Sequence, residues 1–154
     1  MNQRMMDLVV KATEEVFETM VFQKVSMGTP IMGEALRPRS NVVAQVGFAG
    51  SASGMVAVYA TLDTAKSIAG AMLGIAANEV DGELPDAIGE IGNMIAGAFR
   101  SQMTSDGNPC AISIPTVTVG SDFYTKPVAD CQRVLFPFKF GESEVFVELI
   151  VTES

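Results

Sequence analysis

The stretch DAIGEIGNMIAG, from Asp86 to Gly97, carries a carboxylate and a carboxamide at a spacing typical of one helix face. At about 100° per residue, Glu90 and Asn93 lie one turn apart and point away from the apolar positions. A carboxamide is uncharged, so it can approach an anion and hold a water molecule through its oxygen without repulsion. This Glu/Asn pair, Glu90 with Asn93, is the candidate for chemistry. Such a pair alone is common on solvated helices, whereas the longer pattern that includes Asp86 and Gly97 is more specific.

Glycines surround the Glu/Asn pair at positions 89, 92 and 97. Each interior glycine destabilises a helix by about 1 kcal/mol relative to alanine, so a purely structural helix rarely carries so many. We predict that these glycines leave a smooth surface over which the backbone of a partner can come close. The alternative, that they let the helix approach its own sheet, stays open. The predicted partner contacts are Asp86, Gly89, Gly97 and Arg100.

The composition excludes several other kinds of chemistry. The chain has no histidine, which rules out a Ser-His-Asp or Cys-His nucleophile and a histidine-ligated zinc site. The glycine-rich GFAGSASG lacks the lysine of a phosphate-binding P-loop. Hard cations prefer oxygen ligands, but the spacing of the acidic cluster matches no metal-binding loop, and acids at a helix start complement the helix dipole. We therefore predict no metal site at that cluster, which comprises Asp81, Glu83, Asp86 and Glu90.

Length and charge bound the class of protein. The 154 residues, of which 48% are apolar, suffice for one domain with its own core. No apolar run approaches the roughly 18 residues of a membrane span, and the first residues lack the pattern of a signal peptide, so we expect a cytoplasmic protein without a membrane partner. The net charge of -8 would repel a phosphate backbone, so nucleic acid is not an expected partner. Cys110 and Cys131 are expected to be free thiols.

The hydropathy pattern predicts an α+β protein. Its three- and four-residue periodicity predicts helices over residues 3–22, 63–73 and 85–103. Runs rich in β-branched and aromatic residues predict strands over residues 41–48, 55–60, 111–119, 131–140 and 145–152, and residues 25–39 are expected to be irregular. Asp63 is the predicted cap of the second helix and Gly74 its end. Pro115 and Pro137 are expected at edges or bends.

The order of these elements suggests one unit used twice in a single domain over residues 1–154. A helix, two strands and a helix over about residues 1–75 are followed by a helix and three strands over about residues 76–154. EEVFETM at 14–20 aligns with GEIGNMI at 89–95, which places Glu15 over Glu90 and Glu18 over Asn93. Chance similarity between amphipathic segments stays open as an alternative. A duplicated helix-strand-strand unit predicts long helices packed on one mainly antiparallel sheet.

The stretch DAIGEIGNMIAGAFRSQM, which begins at Asp86, resembles the ExxN helix of the CheC/CheX family of chemotaxis phosphatases. The CheX branch is the more similar one, because the Glu and Asn signature occurs once in this chain. The resemblance implies dephosphorylation of a phosphorylated CheY-like response regulator. It also implies that Asn93 orders the attacking water and that Glu90 pairs with the lysine of the regulator's active site. The Mg2+ would belong to the regulator, with no cofactor in this chain. The resemblance further implies a homodimer that pairs through sheet edges, for which residues 111–119 are a candidate.

A non-catalytic alternative stays open. A CheC-like adaptor or a relative of the flagellar switch would bind a response regulator without hydrolysing its phosphate. Two features are compatible with this alternative: the first repeat has Glu18 in the place of asparagine, and Ala98 follows Gly97. The intact Glu/Asn pair argues against it.

Overall fold

The structure is a computed structural model that describes residues 1–33, 38–123 and 130–152, apart from the side chain of Asp122. The helices are α1 (Gln3–Val16), α2 (Leu62–Leu73) and α3 (Leu84–Ser105). The strands are β1 (Ser26–Met27), β2 (Ile31–Met32), β3 (Ser40–Gly50), β4 (Gly54–Ala60), β5 (Cys110–Ile112), β6 (Thr116–Phe123), β7 (Cys131–Phe140) and β8 (Ser143–Thr152). A π-helical turn, Phe17–Val21, extends α1, and a 3-10 turn, Ala77–Glu79, precedes α3.

The strands form one antiparallel sheet in the order β1, β7, β8, β4, β3, β5, in which β2 also pairs with β7 and β6 also pairs with β3. The hairpins β3/β4 and β7/β8 lie side by side because β4 pairs with β8. This arrangement confirms the predicted α+β class with an antiparallel sheet.

The helices cover one face of the sheet. Side chains alternate between faces along a strand, so Val42, Ala44 and Val46 of β3 lie in the main core with the buried faces of α1 and α3. The start of α1 is joined to the end of α3, because Arg4 donates hydrogen bonds of 2.7 and 3.1 Å to the two carboxylate oxygens of Asp106. Hydrogen bonding from Arg4 holds the pKa of Asp106 below its ordinary value. The two long helices therefore run antiparallel across the sheet.

Three local predictions need correction. Thr61, rather than Asp63, caps α2, because its hydroxyl accepts a hydrogen bond from the backbone of Thr64; Gly74 ends the helix in the left-handed region, as predicted. The strand predicted over 111–119 is two strands, β5 and β6, separated around Pro115. The segment 25–39, expected to be irregular, contains the two-residue strands β1 and β2 among its described residues.

The face of the sheet away from the helices contains a buried ionic group. Arg133 and Glu148 are 4% and 1% exposed, and Nε of Arg133 donates to one carboxylate oxygen of Glu148. The hydroxyl of Tyr59 donates to the other oxygen at 2.6 Å. Both terminal nitrogens of the Arg133 guanidinium are buried and have no hydrogen-bond partner among the described residues. Within the described part of the chain, the charge of Glu148 is therefore the main compensation for the buried cation.

We expect Glu148→Ala to lower the free energy of unfolding by about 3 to 5 kcal/mol, because it leaves the Arg133 guanidinium buried without a counter-charge. Chemical denaturation followed by circular dichroism measures the change. Glu142→Ala, in the exposed turn between β7 and β8, is the matched control and should stay within about 0.5 kcal/mol of the wild type. A loss below 1 kcal/mol for Glu148→Ala would show that the pair contributes little.

Candidate functional site

Helix α3 carries every residue of the predicted site. It spans 22 residues, begins after Glu83 with Pro85 in its first turn, and has Asp86 near its positive end. Its buried residues are Leu84, Ala87, Ile88, Gly89, Ile91, Gly92, Ile95, Ala96, Phe99 and Met103. This broad buried face fixes the helix on the sheet, so the remaining side chains project from a rigid element.

The Glu/Asn pair lies on the solvent side of α3. Glu90 is exposed and Asn93 is half-buried, and the exposed Asp86 and Arg100 and the half-buried Gly97 share their side of the helix. In the part of the chain that the structure describes, the side chains of Glu90 and Asn93 make no hydrogen bond or ion pair. Both are therefore available to a partner, and the half-burial of Asn93 restricts its side chain more than that of Glu90.

The glycines divide between the two sides of the helix. Gly89 and Gly92 are buried, and a Cβ at Gly92 would lie 3.1 Å from Cβ of Ala44, while one at Gly89 would lie 3.0 Å from Cγ2 of Val117. The prediction that these two glycines form an open surface for a partner is wrong, because they let α3 approach the strands closely. A Cβ at Gly97 would meet nothing within 4 Å, so only this glycine lies beside open space.

The edge strands β5 and β6 run along one side of α3. Val117 of β6 and the ring of Pro115 lie against Gly89 near the start of the helix. Cys110 of β5 lies near its end, where burial raises the pKa of the thiol and the charge of Arg100 acts in the opposite direction. Sequence reasoning did not include this strand pair in the site, although the proline at 115 marked a break in the strand.

Helix α1 borders the other side of α3. A shallow cleft between the two helices is lined by Lys11 and Glu15 of α1 and by Ala98 of α3, among others. Glu15 and Glu18, aligned above with Glu90 and Asn93, are both exposed. The π-helical turn of α1 begins between them, at Phe17. The two helices therefore differ both in the side chains at the aligned positions and in their local backbone geometry.

The described residues contain no group of three or more cysteine, aspartate or glutamate side chains arranged to hold a metal ion. In the same residues, no helix is long and apolar enough to span a membrane.

The sequence matches the model of the family "Chemotaxis phosphatase CheX" over residues 42–139. The chain belongs to the CheX family. The match runs from β3 into β7 and so includes the whole of α3 with its Glu/Asn pair.

Relatives of the CheX family resemble this chain over most of its length. A protein from Thermotoga maritima named CheY-P phosphatase CheX is 26% identical over 127 residues, which are 82% of each chain. A crystal structure of CheX from Desulfovibrio desulfuricans has 27% identity and a TM-score of 0.87, covering 96% of this chain and 99% of the other. A chain in the Borrelia burgdorferi complex of CheX with CheY, BeF3 and Mg2+ has 21% identity and a TM-score of 0.80, covering 96% of this chain and 97% of the other. This last likeness shows a shared fold.

The different surroundings of the glycines lead to opposite expectations for alanine at two positions of α3. Gly97→Ala should raise the free energy of unfolding by about 1 kcal/mol, because alanine favours the helix and its Cβ meets open space. The free energy of unfolding should be about 1 to 3 kcal/mol lower for Gly92→Ala than for Gly97→Ala, because a Cβ at position 92 would crowd Ala44. Urea denaturation of both variants measures the difference. Equal stabilisation by the two substitutions would show that α3 does not depend on close contact at Gly92.

Proposed function

We propose that this protein is a phosphatase that hydrolyses the aspartyl phosphate of a CheY-like response regulator. The observation that carries the proposal is the Glu/Asn pair, held on the solvent side of a rigid helix in a member of the CheX family. The relative from Thermotoga maritima, named as a CheY-P phosphatase, supports this reaction.

Asn93 is the proposed catalytic residue, and its task is to place a water molecule. An aspartyl phosphate is an acyl phosphate and hydrolyses readily, so catalysis requires positioning more than covalent chemistry. The carboxamide oxygen can accept a hydrogen bond from the attacking water, and the side chain carries no charge that would repel the phosphoryl group. Its half-burial on a helix packed against Ala44 limits the orientations that it can adopt. A water held by this group is therefore aligned with little loss of entropy on binding.

Glu90 is the proposed anchor. It is exposed and has no partner among the described residues, so it can reach a cation on the docked regulator. We propose that this cation is the lysine of the regulator's active site and that the ion pair sets the depth at which Asn93 enters. Asp86, Gly97 and Arg100 surround the pair and are proposed partner contacts, whereas the burial of Gly89 removes it from this set.

The metal ion of the reaction is proposed to belong to the regulator. The complex of CheX with CheY from Borrelia burgdorferi contains Mg2+ and BeF3, which supports a magnesium ion at the regulator's phosphorylation site. A cytoplasmic location for this protein and its regulator is part of the same proposal. A homodimer joined through sheet edges is also part of the proposal, and sedimentation equilibrium tests it.

The duplicated architecture is a separate proposal. The hairpins β3/β4 and β7/β8 meet through antiparallel pairing of β4 with β8, and α1 and α3 run antiparallel above them. This arrangement is compatible with a two-fold relation between residues of about 1–75 and 76–154. It supports the interpretation of the chain as one unit used twice.

Asn93→Ala should reduce the rate of phosphate release from the phosphorylated regulator by roughly 100-fold or more, because the attacking water loses its orienting group. Its affinity for the regulator should remain close to that of the wild type. The measurement is a time course of aspartyl-phosphate decay with each CheY-like regulator of the source organism, together with binding to the same regulator loaded with BeF3 and Mg2+. Gln102→Ala, at an exposed position about two and a half turns further along the same helix, is the control and should have no effect. Decay at the wild-type rate with Asn93→Ala would refute the assignment.

Glu90→Ala should weaken binding of the BeF3-loaded regulator by roughly tenfold to a hundredfold, as expected for the loss of a hydrogen bond to a charged group. The same affinity measurement tests this effect. The phosphatase rate at limiting regulator should fall in parallel. If the wild type binds regulators without accelerating decay of any of them, the protein is an adaptor rather than a phosphatase.

A further inference from the structure

The edge of the sheet beside α3 contains an extra residue. Phe48 pairs with Ile112, and Gln45 pairs with Thr116, so the two intervening residues of β3 face three residues at the edge, Ser113 to Pro115. This is a β-bulge, a feature that redirects side chains and is frequent at sheet edges beside functional sites. The residue at its centre is Ile114, which is 85% exposed.

The bulge lies beside α3 near Gly89, one turn before Asn93. Val117 contacts the helix at Gly89, one turn before Asn93, and Cys110 lies near Arg100, about two turns after it. The edge strand therefore runs antiparallel to the helix between these two points. Ile114 lies between Cys110 and Val117 along the strand, just as Asn93 lies between Gly89 and Arg100 along the helix.

The backbone around Ile114 is held in place. The backbone N–H of Ser113 donates to the carbonyl of Gly47 at 2.8 Å, and the Ser113 hydroxyl accepts from the N–H of Gly47 at 2.9 Å. The same hydroxyl donates to the carbonyl of Ile114 at 3.0 Å. The ring of Pro115 lies against α3 on the other side of Ile114. An exposed aliphatic side chain on a fixed backbone can be buried by a partner with little loss of chain entropy.

From this placement we propose that Ile114 is an apolar contact of the surface that docks the response regulator, and that it sets affinity rather than the rate of hydrolysis. The inference rests on the proposed function, since the regulator bound over the Glu/Asn pair is the partner that would cover it. Polar groups of the pair would fix orientation while the bulge supplies apolar area. Ile114 is thus a specificity-determining residue for the regulator, and Asn93 keeps the catalytic role.

The test compares Ile114→Ala and Ile114→Asp with the wild type. The probe is the CheY-like regulator of the source organism that the wild type dephosphorylates most rapidly, loaded with BeF3 and Mg2+ for binding and phosphorylated for kinetics. Ile114→Ala should weaken binding and raise KM by roughly tenfold with kcat unchanged. Ile114→Asp should weaken binding further because it places a charge against an apolar contact. Met32→Ala is the matched control, since Met32 is 57% exposed on β2, at the opposite edge of the sheet, and should change neither constant.

The outcomes separate this inference from the proposed function. Wild-type KM and affinity in both Ile114 variants would overturn the inference while the function stands. A fall in kcat at unchanged affinity would also overturn it, as would dissociation of a dimer with unchanged regulator binding, which would identify Ile114 as a contact between copies of the chain. A wild type that neither binds nor dephosphorylates any regulator would overturn the function and the inference together. Thermal melts of the Ile114 variants should match the wild type, because the side chain is exposed.

Discussion

The close contact between α3 and the sheet is the constraint on which the site depends. At Gly92 a single methyl group would lie 3.1 Å from Cβ of Ala44, and at Gly89 it would lie 3.0 Å from Val117. Two glycines on this face sacrifice about 2 kcal/mol of helix propensity. Packing of the apolar face, with side chains such as Ile88 and Phe99 fully buried, offsets that loss. The result is a helix whose height above the sheet is fixed by contact of its backbone with the side chains of Ala44 and Val117.

A fixed height matters in the proposed mechanism, because there Asn93 acts only by positioning water. Errors of about 1 Å in the placement of a catalytic group can reduce rates by two orders of magnitude. A longer side chain at position 92 would lift the turn that carries Asn93 away from β3. The same contact brings β5 and β6 alongside the helix, because Val117 occupies the space left by Gly89. The glycines therefore bring the bulged edge, with its exposed isoleucine, alongside the helix that carries the carboxamide.

Much of this architecture could be predicted from the sequence, and the errors have physical reasons. The long helices and the two hairpins have strong periodic patterns, and their bounds differ by only a few residues from those predicted. Gly89 and Gly92 were misplaced because glycine has no side chain to mark a buried or an exposed position. Thr61 and Asp63 can both cap a helix, and the sequence alone favours neither. The sequence was thus least informative at positions where the residue type is compatible with two local structures.

Long-range contacts caused the other omissions. Arg133 and Glu148 have the residue types of a solvated sheet face, yet both are buried. Their hydrogen-bond partner Tyr59 belongs to a second apolar cluster, against which Ile31 and Phe123 pack. The bulge at Ser113 to Pro115 depends on the register between the edge strands and β3, which the proline alone does not define. Neither feature has a signal within one segment. Both arise only when strands far apart in the sequence are paired.

Under the proposed mechanism, two differences between α1 and α3 make only α3 suited to the reaction. In the proposed alignment of the two units, Glu18 occupies the position of Asn93, and a carboxylate there would repel a phosphoryl group. The backbone differs as well, because the π-helical turn from Phe17 to Val21 widens the helix at this position and changes the angle between successive side chains. Charge and geometry both disfavour α1 as a second site. An asparagine introduced at position 18 would correct the charge but not the angle, so the asymmetry lies in the backbone as much as in one side chain.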